Sequence, residues 1–392
     1  MIPLTGRTTT HAWRPLATDV YGVTAVTGQA GHRSYAPAAV LLRDGETAVD
    51  GADLYLTTDP AVVGPGPTLV LPVQLAHVTH GDVLVVSADG SRAQVAWKAT
   101  ARHNSILLTE RCDHYCLMCS QPPKEADDSG LYGRAQRIIS ALPATASAVS
   151  LTGGEPSIDP ERFLGLLEHI TAIRPDLSLH VLSNGRRFAD PLFAAAYREA
   201  APSDSMVGIP LYAAEPALHD YIVQAPGAFN ETLKGIVNLA AVGAGIEIRV
   251  VVQRANLPAL SEVARFIARN LPFVDQVALM GLEMTGLAKP NAALVWADPA
   301  EYRDELRDAY VILRDAGVET RIYNHQLCVL DRALWPAAVQ SISDWKNTYP
   351  ESCDPCAVKS RCAGVFTTSG GRLSPSLHPI LTADVDETPG QR

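Results

Sequence analysis

Cysteine spacing is the feature of this 392-residue chain with the clearest chemical meaning. Cys112, Cys116 and Cys119 follow the pattern C-x3-C-x2-C. Three thiolates can hold a [4Fe-4S] cluster and leave one of its irons without a protein ligand. A small molecule that offers an amine and a carboxylate, such as S-adenosylmethionine, can chelate that open iron and carry radical chemistry. The spacing therefore predicts a cluster with one open coordination site.

Zinc is the alternative metal for this first group of thiols. Zinc usually takes four protein ligands, and His114 could be the fourth, but its place inside the three-residue gap makes tetrahedral closure awkward. Full disulfide pairing is disfavoured because the chain has seven cysteines and shows no secretory signal. We therefore expect a cytoplasmic protein whose clustered thiols bind metal.

A second group of cysteines lies nearer the C-terminus. Cys353, Cys356 and Cys362 have the spacing C-x2-C-x5-C, and Cys328 upstream is a candidate fourth ligand. Four thiolates complete the coordination of either a second [4Fe-4S] cluster or a structural zinc ion. Both assignments stay open on spacing alone, because both accept a tetrahedral set of sulfur ligands.

The first cysteine group must be positioned by the elements around it. Residues 105–109 read as a short buried strand that leads into this group, and residues 146–153 form the next strand candidate. Further strands, separated by helix-compatible sequence, are predicted at residues 177–185, 205–212, 246–253 and 275–284. This alternation predicts an α/β fold, a partial (β/α)6 TIM-type barrel of parallel strands, in which chemistry takes place where strands end.

Two helices in this part of the chain have clear start signals. Asp159 and Pro160 open the first, and its predicted apolar face consists of Phe163, Leu166, Leu167 and Ile170. The second is predicted to begin at Asp298, with Pro299 at its first position and Glu301 completing a capping box. One more strand is expected after it, in residues 318–324.

Composition divides the chain into four predicted regions. Residues 1–100 are rich in Val, Thr, Gly and Pro and predict a small β-rich domain, with a hairpin turn at Asp89-Gly90. Residues 101–297 form the expected barrel core, and residues 298–375 a C-terminal cysteine-rich domain. Residues 376–392 are expected to be a flexible tail, because they are mostly polar and contain Pro and Gly.

The first cysteine pattern, placed after a first strand, resembles the signature of the radical S-adenosylmethionine (radical SAM) superfamily. The residues Gly153-Gly154-Glu155-Pro156 resemble the stretch with which that family binds the amino group of the methionine moiety. The turn of Ser183 and Asn184 stands where the family often has a polar turn against the cofactor. The resemblance therefore implies that Gly153, Gly154, Glu155, Ser183 and Asn184 bind the cofactor.

The chain departs from the family pattern after the fourth strand. Many relatives have Ser-Leu-Asp-Gly there, whereas this chain has PLYAAEPALHD, which keeps His219 and Asp220 but neither the serine nor the aspartate. Tyr212 and Gln253 are candidates for the missing ribose or carboxylate contacts.

The C-terminal cysteine spacing resembles the core of the SPASM domain, in the shortened "twitch" form that holds one auxiliary cluster. The resemblance implies an auxiliary [4Fe-4S] cluster on Cys328, Cys353, Cys356 and Cys362. Residues 102–124, 207–229, 279–291 and 324–336 also resemble the radical maturases of the His-Xaa-Ser peptide system, in particular their C-type component. This resemblance implies a ribosomal precursor peptide as substrate, a sister radical SAM maturase as partner, and an electron donor.

Charge and hydropathy exclude some classes of partner. A net charge of −10 argues against non-specific nucleic-acid binding, and no apolar run reaches the roughly 18 residues of a membrane span. Two rival functions stay open: a radical SAM enzyme acting on a small molecule, and a non-catalytic iron-sulfur or zinc scaffold that binds a peptide. No catalytic side chain is predicted, because His114, Lys124, Asp220 and Glu283 are each interpreted as solvated, capping or structural residues.

Overall fold

Two eight-stranded sheets carry the fold. The structure, a computed structural model, describes residues 4–14, 16–25, 38–43, 46, 51–340, 347–369 and 371–382. The strands of the first sheet are β1 (Thr5–Arg7), β2 (Thr9–His11), β3 (Val20–Ala25), β4 (Ala38–Leu42), β5 (Leu54–Thr57), β6 (Thr68–Val70), β7 (Val83–Val86) and β8 (Arg92–Trp97). The strands of the second sheet are β9 (Ser105–Leu107), β10 (Ala148–Thr152), β11 (Ser178–Leu182), β12 (Ser205–Pro210), β13 (Gly245–Val252), β14 (Gln276–Gly281), β15 (Thr320–Tyr323) and β16 (Ala338–Val339).

The helices lie mainly between the strands of the second sheet. They are α1 (Gly130–Ser140), α2 (Pro160–Ile173), α3 (Pro191–Ala200), α4 (Pro216–Val223), α5 (Ala228–Ala241), α6 (Leu260–Asn270), α7 (Ala292–Val295) and α8 (Arg303–Asp315). A two-stranded antiparallel ladder of β17 (Asn347–Thr348) and β18 (Val365–Phe366) lies in the C-terminal region. Within the described residues, no helix is both long and apolar enough to cross a bilayer.

The N-terminal sheet closes on itself. Its strand order is β1-β8-β7-β3-β4-β5-β6-β2, and its two outer strands are separated in the chain by Thr8 alone. Fully buried side chains such as Leu54, Leu56 and Leu84 fill its centre. The predicted hairpin is present as β7 and β8, with Gly90 at a φ of +68°, a conformation that favours glycine. The β-rich N-terminal region thus forms a barrel-like sheet.

The second sheet is parallel throughout, and its strands follow one another in chain order from β9 to β16. Ile246, Ile248 and Val250 of β13 belong to the core under the helices, so Glu247 and Arg249 between them face the lumen. The barrel is partial, because β9 and β16 each have one neighbouring strand and leave an opening between them. The predicted α/β barrel is confirmed. β15, which lies in the strand expected at residues 318–324, and β16 extend its sheet beyond six strands.

The two predicted helices have different outcomes. α2 begins at Pro160 as predicted, and the side chain of Asp159 accepts a hydrogen bond from the Arg162 amide at 3.2 Å. The predicted start of the second helix at Asp298 is wrong, because α8 begins at Arg303. Asp298 instead accepts a hydrogen bond from the Ala300 amide in a turn, at 2.9 Å.

The barrel and the N-terminal sheet share one core. Val20, Val83 and Trp97 of the N-terminal sheet belong to the same buried cluster as the barrel residues. Asp19 accepts hydrogen bonds from Arg134 and Arg137 of α1, at 2.9 and 2.8 Å. These contacts hold the N-terminal sheet against the first helix of the barrel.

The C-terminal boundaries differ from those expected from composition. The parallel sheet continues past residue 297 through β15 and β16, because the chain returns twice to the barrel before the last cysteines. Ile380, within the expected tail, is buried, and its amide lies 3.5 Å from the Cys356 sulfur. Burial of this apolar side chain is energetically favourable, and it holds this part of the tail against the cysteine-rich region. The rest of the expected tail, residues 383–392, lies outside the described part of the chain.

Candidate metal centre

The first cysteine group lies on a loop that follows β9 at the carboxyl edge of the parallel sheet. The Asp128 carboxylate organises the start of this loop: it accepts hydrogen bonds from the Thr109 hydroxyl at 2.9 Å, from Arg111 Nε at 3.3 Å and from the Glu110 amide. The Lys124 amide donates to the Glu110 carbonyl at 2.9 Å, which closes the far end. The loop is therefore anchored at both ends by contacts within the protein.

The glycine turn after β10 packs directly against the cysteine loop. The Gly154 amide donates to the Thr109 carbonyl at 2.7 Å, and the next amide donates to the Arg111 carbonyl at 2.8 Å. A Cβ atom at Gly154 would lie 2.1 Å from the Arg111 carbonyl oxygen and 3.0 Å from the Cys112 Cβ. One at Gly153 would lie 2.7 Å from the Thr109 carbonyl oxygen. Both glycines are thus required by the close approach of two loops, a reason that sequence spacing alone does not reveal.

Glu155 joins the glycine turn to the polar turn after β11. Its side chain is buried, and Oε1 accepts hydrogen bonds from the Ser157 amide at 2.9 Å, the Ser157 hydroxyl at 2.6 Å and the Ser183 hydroxyl at 2.9 Å. Oε2 accepts one from the Asn184 amide at 2.7 Å. Burial raises the pKa of this carboxyl, whereas these hydrogen bonds favour its charged form. Glu155 therefore positions the two turns, and its contact with a cofactor stays a prediction.

The polar turn also holds the cysteine loop in place. Asn184 Nδ2 donates to Asp113 Oδ1 at 2.6 Å, and Arg186 Nη1 donates to Asp113 Oδ2 at 3.1 Å. Arg186 Nε also donates to Glu231 of α5 at 2.5 Å. Sequence reasoning missed Asp113 and Arg186. The sequence feature that could have indicated them is a charged residue inside the cysteine loop, Asp113, together with an oppositely charged residue two positions after Asn184, Arg186.

The three thiols share one largely buried environment. Burial, together with nearby negative charges, raises the pKa of Cys112 to about 12. Burial also raises the pKa of Cys116, and so do the charges of Cys119 and Cys112. The His114 amide lies 3.4 Å from the Cys112 sulfur, a direction from which it stabilises a thiolate. Without a metal, the raised pKa values keep these thiols protonated. The positive charge of a bound iron-sulfur core would stabilise the thiolates, so this donor set fits such a cluster.

Two buried histidines lie beside this loop. Burial lowers the pKa of His114 to about 4 and that of His219 to about 4, so both are neutral near pH 7. His219 Nδ1 accepts a hydrogen bond from the Tyr212 amide at 3.2 Å, and its Nε2 atom has no partner among the described residues. Nε2 of His114 likewise has no partner in the described part of the chain.

The two candidate substitutes for the missing family motif also approach the cysteine loop. Gln253 is fully buried, and its Nε2 atom lies 3.7 Å from the sulfur of Met118. Its Oε1 atom has no partner among the described residues. Burial raises the pKa of Tyr212, and the charge of Cys116 adds to this effect. The structure therefore brings both side chains near the cysteine loop, and their role as ligands stays a prediction.

The other acidic and basic candidates make structural contacts. Asp220 accepts hydrogen bonds from the Gly227 amide at 2.6 Å and the Phe229 amide at 2.8 Å, which caps the start of α5. Lys124 forms an exposed ion pair with Glu110 at 2.6 Å. Glu283 accepts a hydrogen bond from the Thr368 hydroxyl at 2.9 Å.

The four C-terminal cysteines line one small cavity: Cys328, Cys353, Cys356 and Cys362. Two of their sulfurs receive backbone amides, from Ile380 to Cys356 at 3.5 Å and from Gly364 to Cys362 at 3.4 Å. Within the described ranges, no three or more His, Cys, Asp or Glu side chains are grouped as ligands of a single metal ion. The fold thus brings all four thiols to one place, and the choice between a cluster and zinc stays open.

A charged group that the sequence did not single out lies in the lumen. Glu247 accepts hydrogen bonds from Arg249 Nη1 and Gln276 Nε2, both at 2.5 Å, and lies 3.4 Å from His180 Nε2. Burial raises the pKa of Glu247, but the nearby His180 ring and the charge of Arg249 outweigh it and lower the pKa to about 2. The signal for this group was a pair of charged residues that alternate with Ile and Val in β13.

Residues 106–267 match the family described as the Radical SAM superfamily. A curated relative, mycofactocin maturase MftC of Mycobacterium tuberculosis (strain CDC 1551 / Oshkosh), is 32% identical over 165 residues, which are 41% of this chain and 40% of the relative. The chain thus matches about two fifths of the length of this relative.

Two solved structures match parts of the chain at low identity and with TM-scores below 0.5. Streptococcus suis SuiB bound to the precursor peptide SuiA has a TM-score of 0.43 and 16% identity, over 56% of this chain and 48% of that one. A radical SAM methyltransferase from Sphaerobacter thermophilus has a TM-score of 0.43 and 15% identity, over 63% and 74%.

Proposed function

We propose, from the match of residues 106–267 to the Radical SAM superfamily, that this chain is a peptide-modifying enzyme of that superfamily. It would cleave S-adenosylmethionine reductively and abstract hydrogen from a ribosomally made peptide of the His-Xaa-Ser type. The observation that carries the proposal is the three-cysteine loop, braced by the glycine turn and the polar turn at the carboxyl edge of a parallel sheet.

The residues of the site divide the work between them. Cys112, Cys116 and Cys119 would hold a [4Fe-4S] cluster, which when reduced supplies the electron that splits S-adenosylmethionine into methionine and a 5′-deoxyadenosyl radical. Gly153 and Gly154 keep the cysteine loop close to β10. A reactive primary radical formed there would have to be shielded by the lumen wall from water and from unwanted hydrogen donors.

Glu155, Ser183 and Asn184 are proposed to contact the amino-acid part of S-adenosylmethionine. Glu155 Oε2 accepts one hydrogen bond in the structure, so it retains acceptor capacity toward an ammonium group. The Asn184 side chain donates to Asp113, so Asn184 would position the turn in addition to contacting S-adenosylmethionine.

An auxiliary [4Fe-4S] cluster is proposed at Cys328, Cys353, Cys356 and Cys362. Support comes from their common cavity and from the backbone amides directed at two of the sulfurs, an arrangement that stabilises thiolates. Zinc is the alternative. Metal analysis of anaerobically purified protein, compared with a Cys353→Ala/Cys356→Ala variant, decides between them: loss of iron and sulfide supports the cluster, and loss of zinc contradicts it.

The peptide substrate is proposed from two supports. The four stretches that resemble the His-Xaa-Ser maturases include the cysteine loop and the segment leading into Cys328, and the curated relative is a named maturase. A sister radical maturase and an electron donor are proposed as partners on the same resemblance. A small-molecule substrate is the rival within the superfamily.

The function is tested in two steps. Anaerobically reconstituted and dithionite-reduced protein is incubated with S-adenosylmethionine, and 5′-deoxyadenosine is measured, with Cys116→Ala as the inactive control. The absence of 5′-deoxyadenosine despite a reducible cluster favours a non-catalytic scaffold. Co-expression with a short His-Xaa-Ser reading frame encoded beside the gene, followed by mass spectrometry, then tests the substrate: an unchanged peptide mass counts against the peptide proposal.

A further inference from the structure

Three adjoining cavities form one groove between the N-terminal sheet and the open side of the barrel. The first lies over β1 and β8 and shares Val85, Gln94 and Arg134 with the second, which lies between β8, α1 and β9. The second shares His103 with the third, which reaches β15 and β16 across the opening of the barrel. We call this continuous feature the basic groove.

The charge of the groove is opposite to that of the whole chain. Its basic lining residues are Arg7, Arg92, Lys98, Arg102, Arg134 and Arg361, whereas no Asp or Glu is among the described residues that line it. The chain as a whole has a net charge of −10. Lys98 is paired with Asp82, and Arg134 with Asp19. Arg7, Arg92 and Arg361 make no ion pair within the described part of the chain.

Two of these cations face each other. Arg7 of β1 and Arg92 of β8 are direct partners across the antiparallel ladder. Like charges in this arrangement repel and destabilise a sheet. Both side chains are exposed, so water screens them, yet no acid among the described residues compensates them. A site that places two uncompensated cations together is suited to an anionic ligand.

The middle of the groove offers unpaired backbone. In a parallel pair, alternate residues of one strand direct their backbone groups to the neighbouring strand. The Asn104 carbonyl and the Leu108 amide bond to β10, so the backbone groups of Ser105 and Leu107 point away from it. Neither has a backbone hydrogen-bond partner on that free edge among the described residues. An exposed edge of this kind is a template for a further strand.

From the charge and the free edge together, we infer that the basic groove binds an acidic, extended polypeptide segment that adds as a strand to β9. A strand addition satisfies the Ser105 and Leu107 backbone groups, and acidic side chains meet the arginines. β9 leads to Cys112 five residues after Leu107, so a segment bound here is delivered to the carboxyl edge of the sheet where the thiols lie. Identifying it as the recognition segment of the precursor peptide rests on the proposed function.

Direct binding tests the charge requirement without any turnover. The probe is a fluorescently labelled, acetylated ten-residue peptide of alternating Glu and Val, titrated with the full metal-loaded chain and followed by anisotropy. Arg7→Glu/Arg92→Glu is expected to weaken binding by about tenfold or more at low salt. Arg265→Glu is the matched control, since Arg265 on α6 is exposed, lies away from the groove and has no ion pair with any residue that the structure describes. Equal weakening by the control variant, or none by the double variant, overturns the inference.

A second measurement tests strand addition. Leu107→Pro removes the outward-facing amide and leaves the bonds to β10, and proline is tolerated at such an edge position. It is expected to weaken the peptide complex by about fivefold or more while thermal unfolding shows a folded protein. A probe N-methylated at alternate residues makes the same test with the unchanged chain, whether or not the variant folds. Binding that is indifferent to N-methylation contradicts strand addition.

Two further outcomes are decisive. If a single-stranded oligothymidylate of similar length binds more tightly than the acidic peptide, the groove is a nucleic-acid site and the inference fails. If the wild-type chain binds the peptide as expected but never produces 5′-deoxyadenosine, the proposed function fails and the groove stands.

Discussion

Gly154→Ala is expected to prevent the loading of the first cluster. The added Cβ would lie 2.1 Å from the Arg111 carbonyl oxygen, 2.5 Å from its carbonyl carbon and 3.0 Å from the Cys112 Cβ. Ordinary carbon–oxygen contacts need more than 3 Å, so the two loops must separate by about 1 Å. Both obstacles at the shortest distances are backbone, which cannot rotate away as a side chain does. Overpacking of this kind costs about 1–3 kcal/mol, and here the strain falls on the residue that precedes the first metal ligand.

The assay compares this variant with Gly165→Ala. Gly165 lies in α2, and its added Cβ has nothing within 4 Å, so the control variant should be folded, loaded and at least as stable as the natural chain. After anaerobic reconstitution, iron and sulfide per chain and the spectrum of the reduced cluster are measured for both. We expect Gly154→Ala to lose the signal of the first cluster and to produce 5′-deoxyadenosine at least about a hundredfold more slowly. A Gly154→Ala protein with natural iron content and natural 5′-deoxyadenosine production would refute the reasoning.

Three other predictions follow from the contacts around the loop and in the lumen. Asp113→Asn breaks the charge contact with Arg186 and should raise the S-adenosylmethionine concentration needed for half-maximal 5′-deoxyadenosine production by about three- to tenfold, with cluster content unchanged; unchanged kinetics would count against a positioning role. The Glu155 carboxylate accepts from four donors, and in Glu155→Gln one oxygen is replaced by an NH2 group that cannot accept. This variant should lower the free energy of unfolding in urea by about 1–3 kcal/mol, whereas the exposed Glu161→Gln should not. The pKa of Glu247 is lowered to about 2 in the folded state, so its stabilisation is present above pH 4.5 and is lost as the pH falls towards 2. Glu247→Gln should therefore flatten the loss of stability between pH 5 and pH 2, measured by urea unfolding, and an equally steep loss in the variant contradicts this assignment.

Much of the barrel was predictable because its strands and helices are specified locally. The apolar run before Cys112 and the Asp159-Pro160 helix start were read correctly, since turn residues and capping residues act within a few positions of the chain. The helix start at Asp298 was misjudged for a tertiary reason. Tyr302 is buried against His325, and its hydroxyl lies 3.0 Å from the Nε2 atom. This tertiary contact is made where the chain forms turns before α8, although the local capping residues indicate a helix there.

The candidate site was predictable in its thiols and not in its supports. Cysteine spacing indicates a shared metal because ligands on one short loop must lie close together. Asp113 and Arg186 carry no such signal, because their partnership joins loops that follow different strands. The packing of Gly154 against the backbone of the cysteine loop was likewise not predicted, because it also joins loops that follow different strands.

The amino-acid sequence by itself determined the candidate metal ligands of this protein: two groups of thiols, one with three members and one with four, placed after predicted strands. Only the tertiary structure decided how the first group is held, that the second group meets in one cavity, and that arginines distant in the chain line one groove. The physical reason is distance along the chain. Spacing constrains atoms that a few bonds connect, whereas packing of β1, β8, β9 and β16 brings together residues that no local pattern relates.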